Sequence, residues 1–242
     1  SDLMFLSYII IADLLIRFIA IGQLSLIAVI VCLKPLSFKS VLILALALCL
    51  SGYLLLTTSV PDRHYGLLRG PLLLLTEMMP YFLWCLTMAV FNDHFHPKNW
   101  PLYRSKALKL LLLAVLLWFS YFFAYQQGQG VFHDINHGIQ ALVVFHLVFE
   151  AVKGLRDDLV ESRRKIRILC VAYFGLYMLV LVMIELIDNT IAGTATFSLI
   201  NGAFVLLSIT VLSAVLLKPE PVNEVSQVTV SDDINTDKLS VQ

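Results

Sequence analysis

The sequence predicts an all-α membrane protein, a polytopic bundle of seven membrane-spanning helices. Of its 242 residues, 59% are apolar and 14% are charged, whereas ordinary soluble domains have about 45–50% and about 25%. The apolar residues also gather in blocks of about 20 residues, which is the length that a helix needs to cross a bilayer core. Composition and blocks together exclude an ordinary soluble domain.

Seven apolar blocks are long enough to be spans. In chain order they cover residues 3–33, 38–58, 71–91, 107–125, 135–152, 166–186 and 196–217. The first block exceeds one untilted crossing, so we expect its crossing to occupy about residues 14–33 and the residues before it to form an extra turn or lie along the membrane surface. Residues 1–217 form the predicted seven-helix membrane domain, and the polar residues 218–242 form a predicted linker.

The basic residues orient the predicted bundle, because lysines and arginines near span ends stay on the cytoplasmic side. The first, third and fifth connections and the tail together hold 14 of the 17 lysines and arginines. Arg63 and Arg69 fall on the other side, and Arg17 lies within the first span. This distribution predicts an exterior N-terminus and a cytoplasmic C-terminus.

Polar residues within the spans indicate a ligand site, because ionisable groups in a membrane usually face the bundle interior or a wet cavity. Most of them fall in the outer halves of the spans, which predicts an outward-facing cavity for a small ligand. If Glu77 and Glu185 are ionised, the cavity is acidic and favours a cationic or hydrogen-bond-donating amphiphile. The candidate ligand-binding residues are Asp13, Arg17, Glu77, His137, His146, Glu185 and Asn201.

Each charged candidate also has a purely structural explanation. Asp13 and Arg17 stand four residues apart on one helix face, where they can simply neutralise each other. Glu77 and Glu185 can be protonated and pack against polar groups of other helices. The sequence leaves both alternatives open.

The string FHDINHG places His133 and His137 four residues apart. This spacing puts two imidazoles on one helix face, as metal sites require. The sequence identifies no third ligand, and two histidines beside a helix-capping Asp134 are also typical of a loop-to-helix junction. We therefore assign no metal ion and no cofactor, and metal binding by the two histidines stays open.

The sequence contains no motif of a known enzyme class. It has no glycine-rich phosphate loop, no HExxH and no GxSxG. The protein is therefore expected not to be an enzyme. A small-solute carrier or permease is the alternative function, although the internal repeats typical of carriers are not evident.

The fifth connection, residues 154–167 (GLRDDLVESRRKIR), carries the most specific pattern. We expect it to be helical, with Glu161 able to pair with Arg164 and Lys165. Its basic residues would lie at the level of anionic lipid head groups, which makes it either a surface anchor or a signal relay. The candidate relay residues are Asp157, Asp158, Glu161, Arg163, Arg164 and Arg167.

This connection resembles the sensor half of bacterial AraC-type transcriptional regulators whose N-terminal part is a seven-helix membrane domain. Support comes from PYFLWCLTMAVFNDHF (residues 80–95), IELIDN (184–189) and SGYLLLTTSVP (51–61). The resemblance extends over about residues 17–217, and Asn92 departs from it where an acidic residue is common. It implies a sensor module of a regulator in the bacterial inner membrane, which binds a small molecule and signals to a helix-turn-helix domain.

The predicted partners are an unidentified small molecule of amphiphilic or cationic character and membrane lipids. Association into a homodimer stays open. The tail beyond residue 217 holds two lysines against five acidic residues, so it has no basic face for nucleic acid. DNA is therefore expected to bind only through a helix-turn-helix domain that follows the linker and is absent from this chain.

Overall fold

A computed structural model describes residues 2–59, 61–92, 94–100, 105–155, 161–171, 173 and 194–216. No strand occurs among these residues, which confirms the all-α class for this part of the chain. The helices are α1 (Asp2–Cys32), α2 (Phe38–Leu56), α3 (Arg69–Phe91), α4 (Lys106–Ser120), α5 (Val131–Lys153), α6 (Glu161–Cys170) and α7 (Ala195–Leu216).

Six helical stretches are long and apolar enough to cross a membrane. They overlap six of the seven predicted spans. The largest difference is at the third stretch, which begins at His64 rather than at residue 71, and α5 begins at Val131 rather than at residue 135. The predicted span at 166–186 lies mostly outside the described residues, as does the predicted linker at 218–242. The six stretches are Met4–Cys32, Phe38–Leu56, His64–Phe91, Lys106–Tyr125, Val131–Lys153 and Ala195–Ala214.

Helix α1 differs from the expectation of a separate element before residue 14. It is one unbroken helix from Asp2 to Cys32. Residues 2–21 contain neither glycine nor proline, the two residues that most often interrupt a helix. The side chains of Met4, Phe5 and Tyr8 are exposed along this first part of α1.

The helices pack in a defined order of neighbours. Helix α1 packs against α2 and α7, α2 packs against α3, and α3 packs against α5. The contact of α1 with α2 and α7 is built around Ala20, Ala47 and Ile209, all buried. The contact of α3 with α5 and α6 is built around Phe91 and Ala151. Small residues at such contacts let helix backbones approach closely, as is common in membrane bundles.

A π-helical turn, Tyr121–Tyr125, continues α4 and packs against α3. The amide of Gln126 donates to the carbonyl oxygen of Tyr121 at 3.1 Å. Phe123 of this turn is buried. The backbone of the turn lies so close to α3 that a Cβ added at Gly70 would be 2.0 Å from the carbonyl oxygen of Ala124. Only glycine fits that position of α3.

The bundle has two ends, which we name for residues of α3. At the Arg69 end, α2 finishes and α3, α5 and α7 begin; at the Phe91 end, α2 begins and α3 and α5 finish. Because α2 and α3 run antiparallel, Gly52 of α2 packs against Leu75 of α3. The candidate residues can be located relative to these two ends.

Candidate functional site

A hydrogen-bonded network around Glu77 joins α3 to α5 near the Arg69 end. Glu77 is 4% exposed. Its Oε2 atom accepts hydrogen bonds from the side-chain amides of Asn136 and Gln140, each at 2.7 Å. Glu77 therefore packs against polar groups of another helix, as one of the two alternatives proposed. The helix is α5, and its two donors are neutral amides.

The sequence of α5 explains this arrangement. His133, Asn136, His137 and Gln140 stand at positions i, i+3, i+4 and i+7, so they lie on one face of the helix. Tyr81, one turn beyond Glu77, donates its hydroxyl proton to Oδ1 of Asn136 at 2.6 Å. That bond fixes the amide so that its nitrogen points towards the carboxylate.

The two histidines face the other oxygen of Glu77. Oε1 lies 3.8 Å from Nε2 of His137 and 4.0 Å from Nδ1 of His133. The Nε2 atoms of the two rings are 3.1 Å apart. Nδ1 of His133 is buried and has no hydrogen-bond partner. Glu77, His133 and His137 therefore place three potential metal ligands together, of which the sequence identified the histidine pair.

The helix-capping role expected for Asp134 is wrong. Helix α5 begins at Val131, preceded by Gly130 at φ 115°, and Asp134 lies inside its first turn. Glycine adopts this backbone conformation without steric cost, which lets the helix start earlier than the first apolar run indicates. Both histidines consequently belong to the helix rather than to a loop, so their four-residue spacing does align them.

A second network surrounds Arg17 and joins α1, α2 and α7. Nε of Arg17 donates to Oδ1 of Asp13 at 2.7 Å, and Nη1 donates to the carbonyl oxygen of Leu54 and to Oγ1 of Thr57, both at 2.8 Å. Nη2 donates to the carbonyl oxygens of Thr57 and Ser198 and to Oγ of Ser198. Every guanidinium nitrogen therefore has a protein partner.

Asp13 is satisfied in the same network, because its Oδ2 accepts the hydroxyl proton of Ser198 at 2.7 Å. Asp13 and Arg17 are both almost completely buried. Their mutual neutralisation, which the sequence left open, is observed, and it is combined with a connection between three helices. One turn further along α7, Nδ2 of Asn201 donates to the hydroxyl oxygen of Tyr53 at 3.0 Å.

The remaining candidates lie elsewhere. His146 accepts the indole proton of Trp84 at 3.1 Å on an exposed part of α3 and α5, and Glu185 lies outside the described residues. The described candidates therefore do not surround one ligand. They occupy the Arg17 network, the Glu77 network, the contact of Asn201 with Tyr53 and the contact of His146 with Trp84. Ring contacts also place Trp84 against Phe95.

A cavity of about 280 Å³ lies between α2, α3, α6 and α7, in the half of the bundle towards the Phe91 end. Apolar side chains form almost all of its wall, although Lys39, Tyr53, Thr87, Tyr173 and Ser208 are among the residues that line it. None of the candidate ligand-binding residues in the described part of the chain lines it. This apolar cavity differs from the polar cavity expected at the level of Glu77, where the polar groups bind one another.

Arg167 occupies the junction of three helices at the Phe91 end. It is 7% exposed, and its Nη1 donates to the carbonyl oxygen of Glu150 at 2.7 Å. Its guanidinium carbon lies 4.0 Å from the ring centroid of Phe91, a cation–π contact. A Cβ added at Gly154 would lie 2.3 Å from the same carbon. Arg167 thus connects α6 to the ends of α3 and α5.

The other relay candidates are less enclosed. Glu161 and Lys165 form an exposed ion pair at 2.6 Å, which confirms the predicted pairing with Lys165 and the helical conformation from Glu161 onward. Arg164 is exposed and Arg163 is half-buried. Asp157 and Asp158 lie outside the described residues.

Several functional groups were not identified from the sequence. Asn136, Gln140 and Tyr81 complete the Glu77 network, and Ser198 and Thr57 complete the Arg17 network. The polar residues of α5 recur at i, i+3, i+4 and i+7 inside an apolar helix, and this pattern is a signal that one face meets another polar side chain.

Comparison with known proteins adds no family to this geometry. No protein-family model, no curated protein and no solved structure matches this chain. The likeness to AraC-type sensor domains rests on the sequence strings quoted above.

Proposed function

We propose that the chain is the membrane-embedded sensor module of a transmembrane transcriptional regulator. It binds a small ligand and signals to a cytoplasmic helix-turn-helix domain. One observation carries the proposal: α3 and α5 hold the Glu77 network near one end and enclose Arg167 of α6 at the other. The pair of helices that carries the candidate ligand site is therefore also the pair that contacts the candidate relay.

The helices provide a physical route between the two places. Glu77 and Phe91 are 14 residues apart on α3, or about 21 Å at 1.5 Å per residue. Because α3 and α5 are each continuous over this length and pack against each other, a ligand that changes their spacing at Glu77 is expected to change the space around Arg167 as well. Helix α6 carries that change to the basic residues Arg163 and Arg164.

A test of the relay replaces Arg167 by methionine in the complete regulator. We expect transcripts that depend on the regulator to lose that dependence, because methionine keeps the volume but removes the bond to Glu150 and the contact with Phe91. The measurement compares transcript levels among the wild type, a deletion strain and the variant at equal membrane abundance. Lys165→Gln is the matched control, since it removes only an exposed ion pair worth little.

Two results would contradict the proposal. Identical transcript levels in wild-type and deletion strains would exclude a transcriptional regulator. Wild-type regulation in Arg167→Met would leave the regulator in place but remove Arg167 as its relay.

The proposed orientation has an exterior N-terminus and a cytoplasmic C-terminus in a bacterial inner membrane. It is supported by the placement of 14 of the 17 basic residues in alternate connections and the tail. In this orientation the Arg69 end and its Glu77 network face the exterior. The residues that enclose Arg167 face the cytoplasm, where an output domain would be.

A reporter assay tests this orientation. We expect a reporter fused after Lys218 to be active in the cytoplasm and one inserted in residues 126–130 to be active outside. Three predicted spans lie between the two positions, so the positions are on opposite sides of the membrane. Alkaline phosphatase and green fluorescent protein fusions measure the two compartments. Both insertions reporting the same side would contradict the seven-span arrangement.

A small-solute carrier is the second candidate function, and the apolar cavity of about 280 Å³ favours it. The cavity lies within the bundle and approaches the volume of a small-molecule site. A carrier moves solute into proteoliposomes, whereas a sensor only binds it. Uptake by the reconstituted chain would therefore favour the carrier over the sensor.

A further inference from the structure

We propose that Glu77, His133 and His137 bind a first-row transition metal ion such as Zn²⁺ at the Arg69 end of the bundle. Each residue offers one ligand atom, and these atoms lie within 4.8 Å of one another. Two come from successive turns of α5 and one from α3, so the ion would join two helices. This site does not depend on the regulator function.

The donor atoms fit zinc by type and by spacing. Zinc takes imidazole nitrogen and carboxylate oxygen at about 2.0–2.2 Å, which separates tetrahedral ligands by about 3.3 Å. The corresponding separations are 4.0 Å between Nδ1 of His133 and Oε1 of Glu77 and 3.8 Å between Nε2 of His137 and the same Oε1 atom. Rotations of the side chains that move the donor atoms by less than about 1 Å would complete the geometry.

The carboxylate is oriented before any ion arrives. Asn136 and Gln140 both donate to Oε2 of Glu77 at 2.7 Å, which leaves Oε1 turned towards the imidazoles. Tyr81 fixes Asn136 in turn. Outer groups that orient a ligand in this way are characteristic of metal sites and account for part of their affinity.

One ring nitrogen of the histidine pair has no hydrogen-bond partner. Nδ1 of His133 is buried and makes no hydrogen bond, and it lies 4.0 Å from Oε1 of Glu77, beyond hydrogen-bond distance. A metal ion between the three side chains would provide that partner. The competing arrangement is a hydrogen bond between the two Nε2 atoms, in which one ring donates and the other accepts.

The site is accessible and selective. His133 and His137 lie within two turns of the start of α5, at the end of its span, where a hydrated ion can reach them from the aqueous phase, and neither side chain is enclosed by the protein. Two imidazoles favour Zn²⁺, Cu²⁺ or Ni²⁺ over Mg²⁺ and Ca²⁺, which prefer oxygen ligands. Three protein ligands leave a fourth position for water or for a ligand group.

Zinc binding to the purified chain tests the proposal. The chain is prepared in detergent with an affinity tag that contains no histidine, stripped with a chelator and dialysed against zinc chloride. We expect one Zn²⁺ per chain that excess Mg²⁺ does not displace. We expect His137→Gln and His133→Gln to weaken binding at least about tenfold, because each removes a ligand, and Asn136→Ala to weaken it about 10–100-fold.

His146→Gln and His64→Gln are the matched controls, since both change an exposed histidine outside the cluster. We expect both to bind zinc as the wild type does. Size-exclusion chromatography confirms that each variant is folded. No retained zinc in the wild type, or equal binding in all the variants, would overturn the proposal and leave the two histidines as a hydrogen-bonded pair.

Discussion

Arg17→Met is expected to lower the free energy of unfolding by about 3–5 kcal/mol, which is the usual cost of breaking a buried ion pair. The substitution leaves Asp13 charged and buried with only the bond from Ser198. It also removes the bonds to Leu54 and Thr57 that connect α1 to α2. Thermal unfolding of the detergent-solubilised chain, followed by tryptophan fluorescence, measures the loss.

Two comparisons test the cause of this loss. The double variant Asp13→Asn, Arg17→Met should be more stable than Arg17→Met alone, because it removes the uncompensated charge. Arg164→Met changes an exposed arginine and should alter stability by less than about 0.5 kcal/mol. A double variant less stable than Arg17→Met would show that the unpaired charge of Asp13 is not the source of the cost.

Gly70→Ala is expected to lower the free energy of unfolding by about 1–3 kcal/mol or more, because overpacking forces backbone shifts. The added Cβ would stand 2.0 Å from the carbonyl oxygen of Ala124. A flexible side chain can turn away from such a contact, but a backbone atom in the π-helical turn moves only with α4. The measurement is the same unfolding curve, with the yield of monodisperse protein as a second readout.

Gly22→Ala is the matched control for Gly70→Ala. Gly22 lies in α1 and has no atom within 4 Å of an added Cβ. Alanine is favoured over glycine inside a helix by up to about 1 kcal/mol, so this variant should be neutral or slightly stabilised. Equal losses in the two variants would mean that the contact with the π-helical turn is not the cause.

The helices could be predicted because each depends mainly on its own residues. An apolar block of spanning length specifies a helix whatever its neighbours are, and the bounds of α2 and α3 agree closely with the predicted spans. The start of α5 was missed because the helix begins directly after Gly130, whereas a glycine in a polar stretch usually indicates a longer loop. Local backbone geometry, which composition does not reveal, decided that boundary.

The partners of the buried polar groups could not be predicted. Position along a span follows from counting residues at a fixed rise, which puts Glu77 about 12 Å from Arg69 on α3. Its partner depends on which helix lies beside α3 and on how that helix is rotated, and both are set by packing of side chains from distant parts of the sequence. Asn136 and Gln140 were therefore missed although they stand on the same face as His137.

The polar cavity was expected because the sequence shows where polar side chains lie but not whether they bind one another. In the structure, each nitrogen of Arg17 and the Oε2 atom of Glu77 bind protein groups. Polar groups satisfied in this way bring helices together instead of lining open space. The cavity lies instead where large apolar side chains of α2, α3 and α7 fit together less completely.

The unbroken length of α1 has a consequence for the surrounding lipid. Its apolar stretch of 29 residues measures about 43 Å at 1.5 Å per residue, whereas a bilayer core is about 30 Å thick. Tilt alone would need about 45°, beyond the range usual for membrane helices, and the bonds of Arg17 to α2 and α7 hold α1 at its midpoint. Because Leu54 and Ser198 stand in the last turn of α2 and the first turn of α7, the half of α1 before Arg17 extends beyond the Arg69 end of both helices. Its exposed apolar side chains would therefore contact lipid head groups at that end rather than stretch the acyl chains.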